Sequence, residues 1–377
     1  MIEFIKNTFD VISNPTISFT LLTILSPFIF PPTDWFEKYH RKFHLDKLWT
    51  NTGALVMFAG ITLFLILGYT DKNAVTILTK PDNIPIILMM YLVPFTMWLA
   101  MSQAYSNDAR LARGEKPNEY NDPKDKVLVW PDLVYIELIS LLLFMVFLTV
   151  WSVYIGAPLE EPANPAATPN PSKAPWYFLG LQEMLVYFDP WIAGIIFPIF
   201  IIMGLMAVPY MDINPKGEGY YSFKDRRVAI FIFMYGWLAL WVYLIIIGTF
   251  FRGPNWNFFG PFEFWDPHKV EALNNVNLSE YLWVKAWNQG LPEGNGVVSI
   301  FAREFLGFIV VILYFLVPPA ILAKTSLKEL YLKIGPTRYS FLMFFGLSML
   351  SLPIKMYLRW TINLKYLIAI PEWFFNI

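Results

Sequence analysis

The chain has 377 residues, of which 56% are hydrophobic, 18% aromatic and only 15% charged, so it is more apolar and less charged than a soluble globular domain. These values predict an integral membrane protein. The net charge of −1 and the lack of a long basic run give no reason to expect a nucleic-acid partner. The absence of cysteine excludes disulfides, thiolate nucleophiles, iron–sulfur ligation and covalent c-type haem attachment.

Apolar runs predict an all-α, polytopic integral membrane protein with about eight transmembrane helices. At a rise of ~1.5 Å per residue, ~20 residues cross a ~30 Å hydrocarbon core. The first run is the weakest and has prolines at its end. The runs lie at 16–31, 51–70, 84–104, 131–155, 188–210, 228–251, 304–323 and 339–357. Before them, the N-terminus has an early Glu3 and no Ala-x-Ala-like site, so we expect no removable signal peptide.

Lysine and arginine are unevenly distributed between the two sets of loops that these runs define. Loops 32–50, 105–130, 211–227 and 324–338 hold 4, 5, 4 and 4 of them. The opposite set, 1–15, 71–83, 156–187, 252–303 and 356–377, holds 1, 2, 1, 4 and 2. Because cytoplasmic loops carry the positive excess, the counts predict that both termini and loop 156–187 lie outside, on the positive side of the membrane.

The chain divides into five predicted regions. Residues 1–110 form an N-terminal membrane region of about three helices, and residues 111–130 form a charged, turn-rich cytoplasmic linker. Residues 131–251 form a three-helix core that contains loop 156–187. Residues 252–303 are rich in Trp, Phe, Gly and Pro, and we expect a folded cap at the membrane interface on the positive side. Residues 304–377 form a C-terminal two-helix region.

Three ordered motifs indicate a family. They are "WPD" at 130–132, "GAPLEEPANPAATP" at 156–169 and "APWYF" at 174–178. Their order resembles the C-terminal part of the cytochrome b/b6 family, especially subunit IV of cytochrome b6f complexes. That family has a Trp-Pro-Asp/Asn-like helix start, a Gly-Glu-Pro-Ala-Asp-Pro-x-Ala-Thr-Pro loop and a Pro-Glu-Trp-Tyr-Phe motif. The resemblance covers about a third of the chain and leaves the helices on either side of it without counterparts in subunit IV.

The resemblance implies a membrane subunit of a cytochrome bc/b6f-like quinol:cytochrome c oxidoreductase in respiratory electron transfer and proton translocation. In that family the loop forms one wall of the quinol-oxidation site on the positive side. The implied substrate is a quinol, menaquinol or ubiquinol. The implied partners are a haem-bearing cytochrome b-like subunit that carries haem b, a Rieske iron–sulfur protein and a c-type cytochrome. The implied location is a bacterial cytoplasmic or another internal energy-transducing membrane.

The site residues implied by the resemblance lie in the third motif. Trp176, Tyr177, Phe178 and Pro175 correspond to the quinol-binding motif, and Tyr177 is a candidate to hydrogen-bond the quinol. The family assigns proton acceptance to the glutamate that Pro175 replaces, and proline has neither an acidic side chain nor an amide donor. Glu183 is the nearest substitute, because a carboxylate in so apolar a stretch should face protein or a water-lined cavity. The alternative is an interfacial carboxylate on a short amphipathic helix.

Four other acidic residues are candidates for proton transfer. Glu160 and Glu161 lie in the loop, where a relay competes with an ordinary solvent-exposed role. Asp132 and Glu137 lie near the cytoplasmic start of the fourth helix and are candidates for proton uptake at a quinone-reducing site. For Asp132 the alternative is the favourable interaction of an acid with a helix N-terminus.

The three histidines do not predict a haem or metal site in this chain. None lies within an apolar run, so we expect no bis-histidine haem ligation by this subunit. His40 and His44 have the i, i+4 spacing of one helix face, a spacing that can bind a metal. The surrounding Lys and Arg residues instead favour a basic surface helix. His268 is expected to be structural, or to contact a soluble redox partner.

Two other classes of function remain open. One is a quinone-binding membrane anchor of another redox complex without a Rieske partner, which Pro175 keeps open. The other is a transporter, for which polar or broken helices at matching positions in two halves would be typical. The sequence shows no such pairing.

Overall fold

The computed structural model describes residues 2–121, 127–156, 162–212, 221–271, 274–294 and 296–377. It confirms an all-α polytopic membrane protein. Among the described residues, seven helices are long and apolar enough to cross a membrane. They are α4 (Asn51–Tyr69), α6 (Pro81–Ala112), α7 (Val129–Tyr154), α9 (Ile192–Met211), α10 (Phe223–Phe251), α11 (Val297–Leu322) and α12 (Lys328–Ile362).

The first and weakest predicted run, 16–31, belongs to a bent pair of helices near the N-terminus. Helix α1 (Ile2–Ser13) and helix α2 (Pro15–Ile29) meet at an angle of 75°. Asn14 accepts a hydrogen bond from Thr16 N (3.1 Å), and Pro15 occupies the first position of α2. A side-chain cap followed by proline is a typical helix start. The bend therefore arises because a new helix begins at Pro15.

The remaining elements are short. Helices α3 (Asp34–Lys42), α5 (Lys72–Leu78) and α8 (Leu179–Met184) connect longer ones, and a further helical turn spans Leu278–Glu280. The strands within the described residues are β1 (Ala369–Ile370) and β2 (Phe375–Asn376), which form an antiparallel hairpin. Residues 363–377, which contain this hairpin, are called the C-terminal strap below.

The chain forms two compact units. Unit 1 contains the described residues of 1–43, 170–217 and 228–377, and unit 2 those of 44–169 and 218–227. The five regions predicted from the sequence are a different division, and their boundaries stay a prediction.

Unit 2 contains α4 to α7 and the start of α10. Near the end of α6, Asp108 accepts hydrogen bonds from the Ser222 hydroxyl (2.8 Å) and from Lys224 N (3.1 Å). The Asp108 carboxylate therefore binds the Lys224 amide, one of those that the first turn of α10 leaves without intrahelical partners. Helix α7 differs from its neighbours because it buries no side chain within the unit. An apolar helix of this kind must lie against lipid or another protein.

The core of unit 1 lies where α2, α8, α10 and α12 meet. Phe19 of α2 packs against the rings of Tyr243, Tyr357 and Trp360. A hydrogen bond lies in the same interface, where the Ser18 hydroxyl is 2.8 Å from Tyr243 Oη. These contacts align α2 with α10 and α12. Helix α8 lies near the end of α10, where the candidate site begins.

Candidate functional site

The third motif folds back onto helix α8. Residues Trp176–Phe178 form a single 3₁₀ turn that leads directly into α8. Gln182 Oε1 accepts a hydrogen bond from Ala174 N (2.9 Å), and Gln182 Nε2 donates one to Ser172 O (2.8 Å). Lys173 Nζ donates to Thr249 O (2.8 Å) near the end of α10. These bonds hold the motif against both helices.

Two glycines let α8 lie directly on α10. A Cβ added to Gly248 would lie 3.0 Å from Leu179 O, and one added to Gly180 would lie 3.2 Å from Ile245 Cγ1. Both distances are shorter than ordinary van der Waals contact, so larger residues would separate the helices. Leu179 and Gly180 are correspondingly buried. The position of α8 therefore depends on close backbone packing rather than on its own six-residue length.

The aromatic residues of the motif are partly open. Tyr177 and Phe178 are each 50% exposed, and their ring centroids lie 4.7 Å apart. Trp176 packs edge-on against Tyr177 at 5.6 Å. Within the described residues the Tyr177 hydroxyl makes no hydrogen bond. Pro175 is exposed next to them. The structure thus brings the four predicted quinol-binding residues into one patch with an available phenolic hydroxyl.

Glu183 lies on the protein side of α8 in a buried ion pair. Its side chain is fully buried, and Arg252, directly after α10, is its partner with 11% exposure. Arg252 Nε donates to Oε2 (2.9 Å) and Nη2 donates to Oε1 (2.7 Å), so the pair is bidentate. Arg252 Nη1 donates to Trp256 O (2.9 Å). Glu183 therefore joins α8 to the end of α10. A carboxylate buried in an apolar stretch requires such a hydrogen-bonded counter-charge.

The surroundings of the pair keep the Arg252 guanidinium charged. Burial lowers the pKa of Arg252, but the attraction and hydrogen bonds of Glu183 outweigh burial and hold it above its ordinary value. Tyr187 Oη donates to Glu183 Oε1 (3.4 Å). Burial, and then the Glu183 charge, raise the pKa of Tyr187 well above its ordinary value. Tyr187 therefore stays a neutral hydrogen-bond donor to the carboxylate.

The C-terminal strap holds the residues that follow α8. Lys365 Nζ donates to Val186 O (3.3 Å) and Leu185 O (3.4 Å). These carbonyls lie at the C-terminal end of α8, where a cation is favourable. Asn376 Nδ2 donates to Asp189 Oδ2 (2.9 Å). Burial and the charge of Arg359 lower the pKa of Lys365.

Helix α11 anchors the strap from the other side. Arg303 forms a bidentate pair with Glu372 (2.8 and 2.9 Å), and Ala369 N donates to the buried Glu304 Oε2 (3.0 Å). The Arg303 hydrogen bonds lower the pKa of Glu372 to about 2. The Pro-Glu-Trp order that residues 174–176 lack occurs at 371–373. Its glutamate is the one paired with Arg303.

The proton-uptake candidates lie elsewhere, in unit 2. Asp132 is in the first turn of α7, Glu137 lies one turn later, and both side chains are exposed. Glu160 and Glu161 fall outside the described residues.

The prediction that His40 and His44 share a helix face is wrong. Helix α3 ends at Lys42, and His44 has a left-handed backbone (φ 53°), a conformation that ends helices. His40 is 1% exposed, and its Nδ1 lies 2.8 Å from Phe28 O. His268 is exposed. No histidine lies on a candidate span, so the residues of this chain do not fit a bis-histidine haem.

Sequence reasoning missed the partner of Glu183 and the role of the strap. Arg252 follows Glu183 by 69 residues, and no spacing rule connects them. Position gave no signal either, because an arginine directly after a long apolar run ordinarily extends to the membrane interface.

The fold and the site define an all-α, multi-pass membrane protein with a short helix fixed over its spans by a buried ion pair. Residues 162–260, roughly a quarter of the chain, match the family model described as cytochrome b (C-terminal)/b6/petD, and this confirms the resemblance seen in the motifs. The match includes α8, α9, α10 and both members of the Glu183–Arg252 pair. It points to a subunit of a bc/b6f-type complex. No solved structure matches the chain.

Proposed function

We propose that this chain is a membrane subunit of a bc/b6f-like quinol:cytochrome c oxidoreductase and forms part of the quinol-oxidation site on the positive side. The observation that carries the proposal is the family match, which includes the motif at 174–178 and Glu183. The patch of half-exposed aromatic rings beside a buried charged pair is consistent with a site for a planar substrate with polar oxygens.

Substrate binding is assigned to the open aromatic patch. Tyr177 and Phe178 offer exposed ring surface, while Trp176 and Pro175 support it. The Tyr177 hydroxyl is a donor and acceptor suited to a quinol oxygen. Tyr177 therefore orients the substrate, and its own position is set by the turn into α8.

Proton acceptance is assigned to Glu183. A carboxylate has about four acceptor positions, and the described hydrogen bonds from Arg252 and Tyr187 occupy three of them. The remaining position is on Oε2. A proton bound there would neutralise the carboxylate and weaken its attraction to Arg252.

The cofactors and partners belong to the rest of the complex. Haem b is assigned to a separate cytochrome b-like chain, because the histidines of this chain do not fit a haem. When bound there, haem b would carry electrons across the membrane. A Rieske iron–sulfur protein and a c-type cytochrome accept electrons from the site. Helix α7, which buries no side chain within its unit, offers a surface to the membrane-embedded cytochrome b-like chain. Asp132 and Glu137 are assigned to proton uptake at a quinone-reducing site on the opposite side.

Affinity purification of the full chain from its native membrane tests the assignment. We expect the purified complex to show a b-type haem spectrum, to contain a Rieske protein and to have quinol:cytochrome c reductase activity. A complex without b-type haem would contradict the proposal. A complex that binds quinone without a Rieske protein would instead favour a quinone-binding anchor of another redox complex.

The Tyr177→Phe variant should slow quinol oxidation about 2- to 10-fold, because it removes one hydrogen bond worth ~0.5–1.5 kcal/mol. Steady-state turnover of the purified complex measures this effect. Tyr210→Phe, at an exposed tyrosine near the end of α9, is the matched control and should leave turnover unchanged. Equal rates in the wild type and Tyr177→Phe would remove Tyr177 from the site.

A further inference from the structure

Helix α1 is strongly amphipathic and lies outside the residues that match the family. Glu3, Lys6, Asn7 and Asp10 follow i, i+3, i+4 and i+7 spacing, so they form one polar stripe. The residues on the other side are nearly all apolar. They are Ile2, Phe4, Ile5, Phe9, Val11 and Ile12.

The polar stripe contacts the cap at its edge. Asp10 Oδ1 accepts a hydrogen bond from Phe262 N (2.8 Å), and Lys6 Nζ lies 5.7 Å from the Phe262 ring centroid. A Cβ on Gly260 would lie 2.3 Å from Asp10 Oδ1, so the contact requires a glycine. The cap is therefore bound to α1 by that helix's polar groups.

The apolar stripe contacts the cap at one edge, where the Phe9 ring centroid lies 6.3 Å from the Phe262 ring centroid. The other five apolar side chains are exposed, Ile5 (36%) and Ile12 (44%) among them. Phe4 is 75% exposed and Val11 62% exposed. Helix α2 leaves α1 at 75° and runs beside the membrane-crossing α10, with contacts from Ser18 to Tyr243 and from Thr23 to Tyr235. Since α10 crosses the membrane, a helix nearly perpendicular to α2 lies close to the membrane plane.

We infer that α1 is an interfacial helix, bound through its apolar stripe to the headgroup–acyl boundary of the leaflet on the cap side. The apolar stripe thus contacts the lipid bilayer, and α1 tethers the cap to the bilayer. The cap contacts the polar stripe of α1, and the bend orients the α1 axis parallel to the membrane surface. The apolar face of α1 therefore meets the acyl region. With one lysine against two acids in the helix, apolar area rather than attraction to anionic lipid provides the binding.

The natural absence of cysteine makes a direct test available. Single variants Ile5→Cys and Ile12→Cys of the full chain, both opposite Asn7 on the helix, are spin-labelled and reconstituted in phosphatidylcholine vesicles. Power-saturation EPR then compares access of oxygen with access of a water-soluble nickel complex. Both labels should favour oxygen and report the same shallow depth. Asn7→Cys, on the polar stripe, is the matched control and should favour nickel.

Three outcomes would overturn the inference. Nickel access at positions 5 and 12 equal to that at position 7 would show a helix in water. Exclusion of both reagents would show a protein contact. Depths that differ by ~10 Å over these seven residues would show that α1 is part of a span. If Ile5→Cys does not fold, Ile2→Cys on the same stripe gives the second depth. The test does not depend on quinol oxidation.

Discussion

The Glu183→Ala variant should lose about 3–5 kcal/mol of unfolding free energy, because the Arg252 guanidinium would stay buried without its counter-charge. The pair is bidentate, and its members are 0% and 11% exposed. It is also the polar connection between α8 and the end of α10. Thermal unfolding of the purified protein in detergent should therefore show a clearly lower Tm, and quinol oxidation should fall with it.

A double variant separates the ion pair from simple loss of packing. Replacing both residues, as Glu183→Met with Arg252→Met, should recover much of the stability, since apolar replacements of a buried pair are often neutral or favourable. Glu263→Gln is the matched control, because its pair with Lys269 (2.9 Å) is far more exposed and should cost less than ~1 kcal/mol. A Glu183→Ala variant as stable as Glu263→Gln would contradict the assigned role of the pair.

The Gly307→Ala variant should displace the C-terminal strap. A Cβ at this position of α11 would lie 2.0 Å from Leu367 O and 2.8 Å from Ile368 Cγ1. Because the first of these is backbone, no side-chain rotation relieves the clash. Overpacking of this kind costs ~1–3 kcal/mol. We expect a lower Tm and faster proteolysis of the strap at Lys365.

The matched control for this variant is Gly346→Ala on α12, where an added Cβ meets nothing within 4 Å. That change should be neutral or slightly stabilising, because alanine favours a helix interior by ~0.5–1 kcal/mol over glycine. Strap proteolysis unchanged in Gly307→Ala would show that the strap does not depend on this close contact. If the strap positions α8, the Michaelis constant for quinol should also rise in Gly307→Ala.

Hydropathy was sufficient to locate the membrane helices. All seven long runs coincide with helices, although α6 and α12 extend well beyond the runs that predicted them. Apolar length reports only the part of a helix that meets lipid, so polar turns at helix ends escape it. The end of α3 was also unpredictable from spacing, because a left-handed residue at His44 interrupts the i, i+4 pattern.

The motif residues were predictable and their environment was not. The sequence located Tyr177 and Glu183 because their neighbours resemble a known motif in order and spacing. It did not connect Glu183 to Arg252, or Lys365 to the end of α8, because these partners are far apart along the chain and meet only through helix packing.

The sequence alone determined the membrane class, the positions of the spans and the family resemblance, since each depends on composition or local order. Only the tertiary structure decided which charges pair, which face of α1 stays open and how the strap reaches α8. The physical reason is that burial makes an unpaired charge costly, so Glu183 must find a partner. Which partner it finds depends on the packing of α8 against α10 and not on any local pattern.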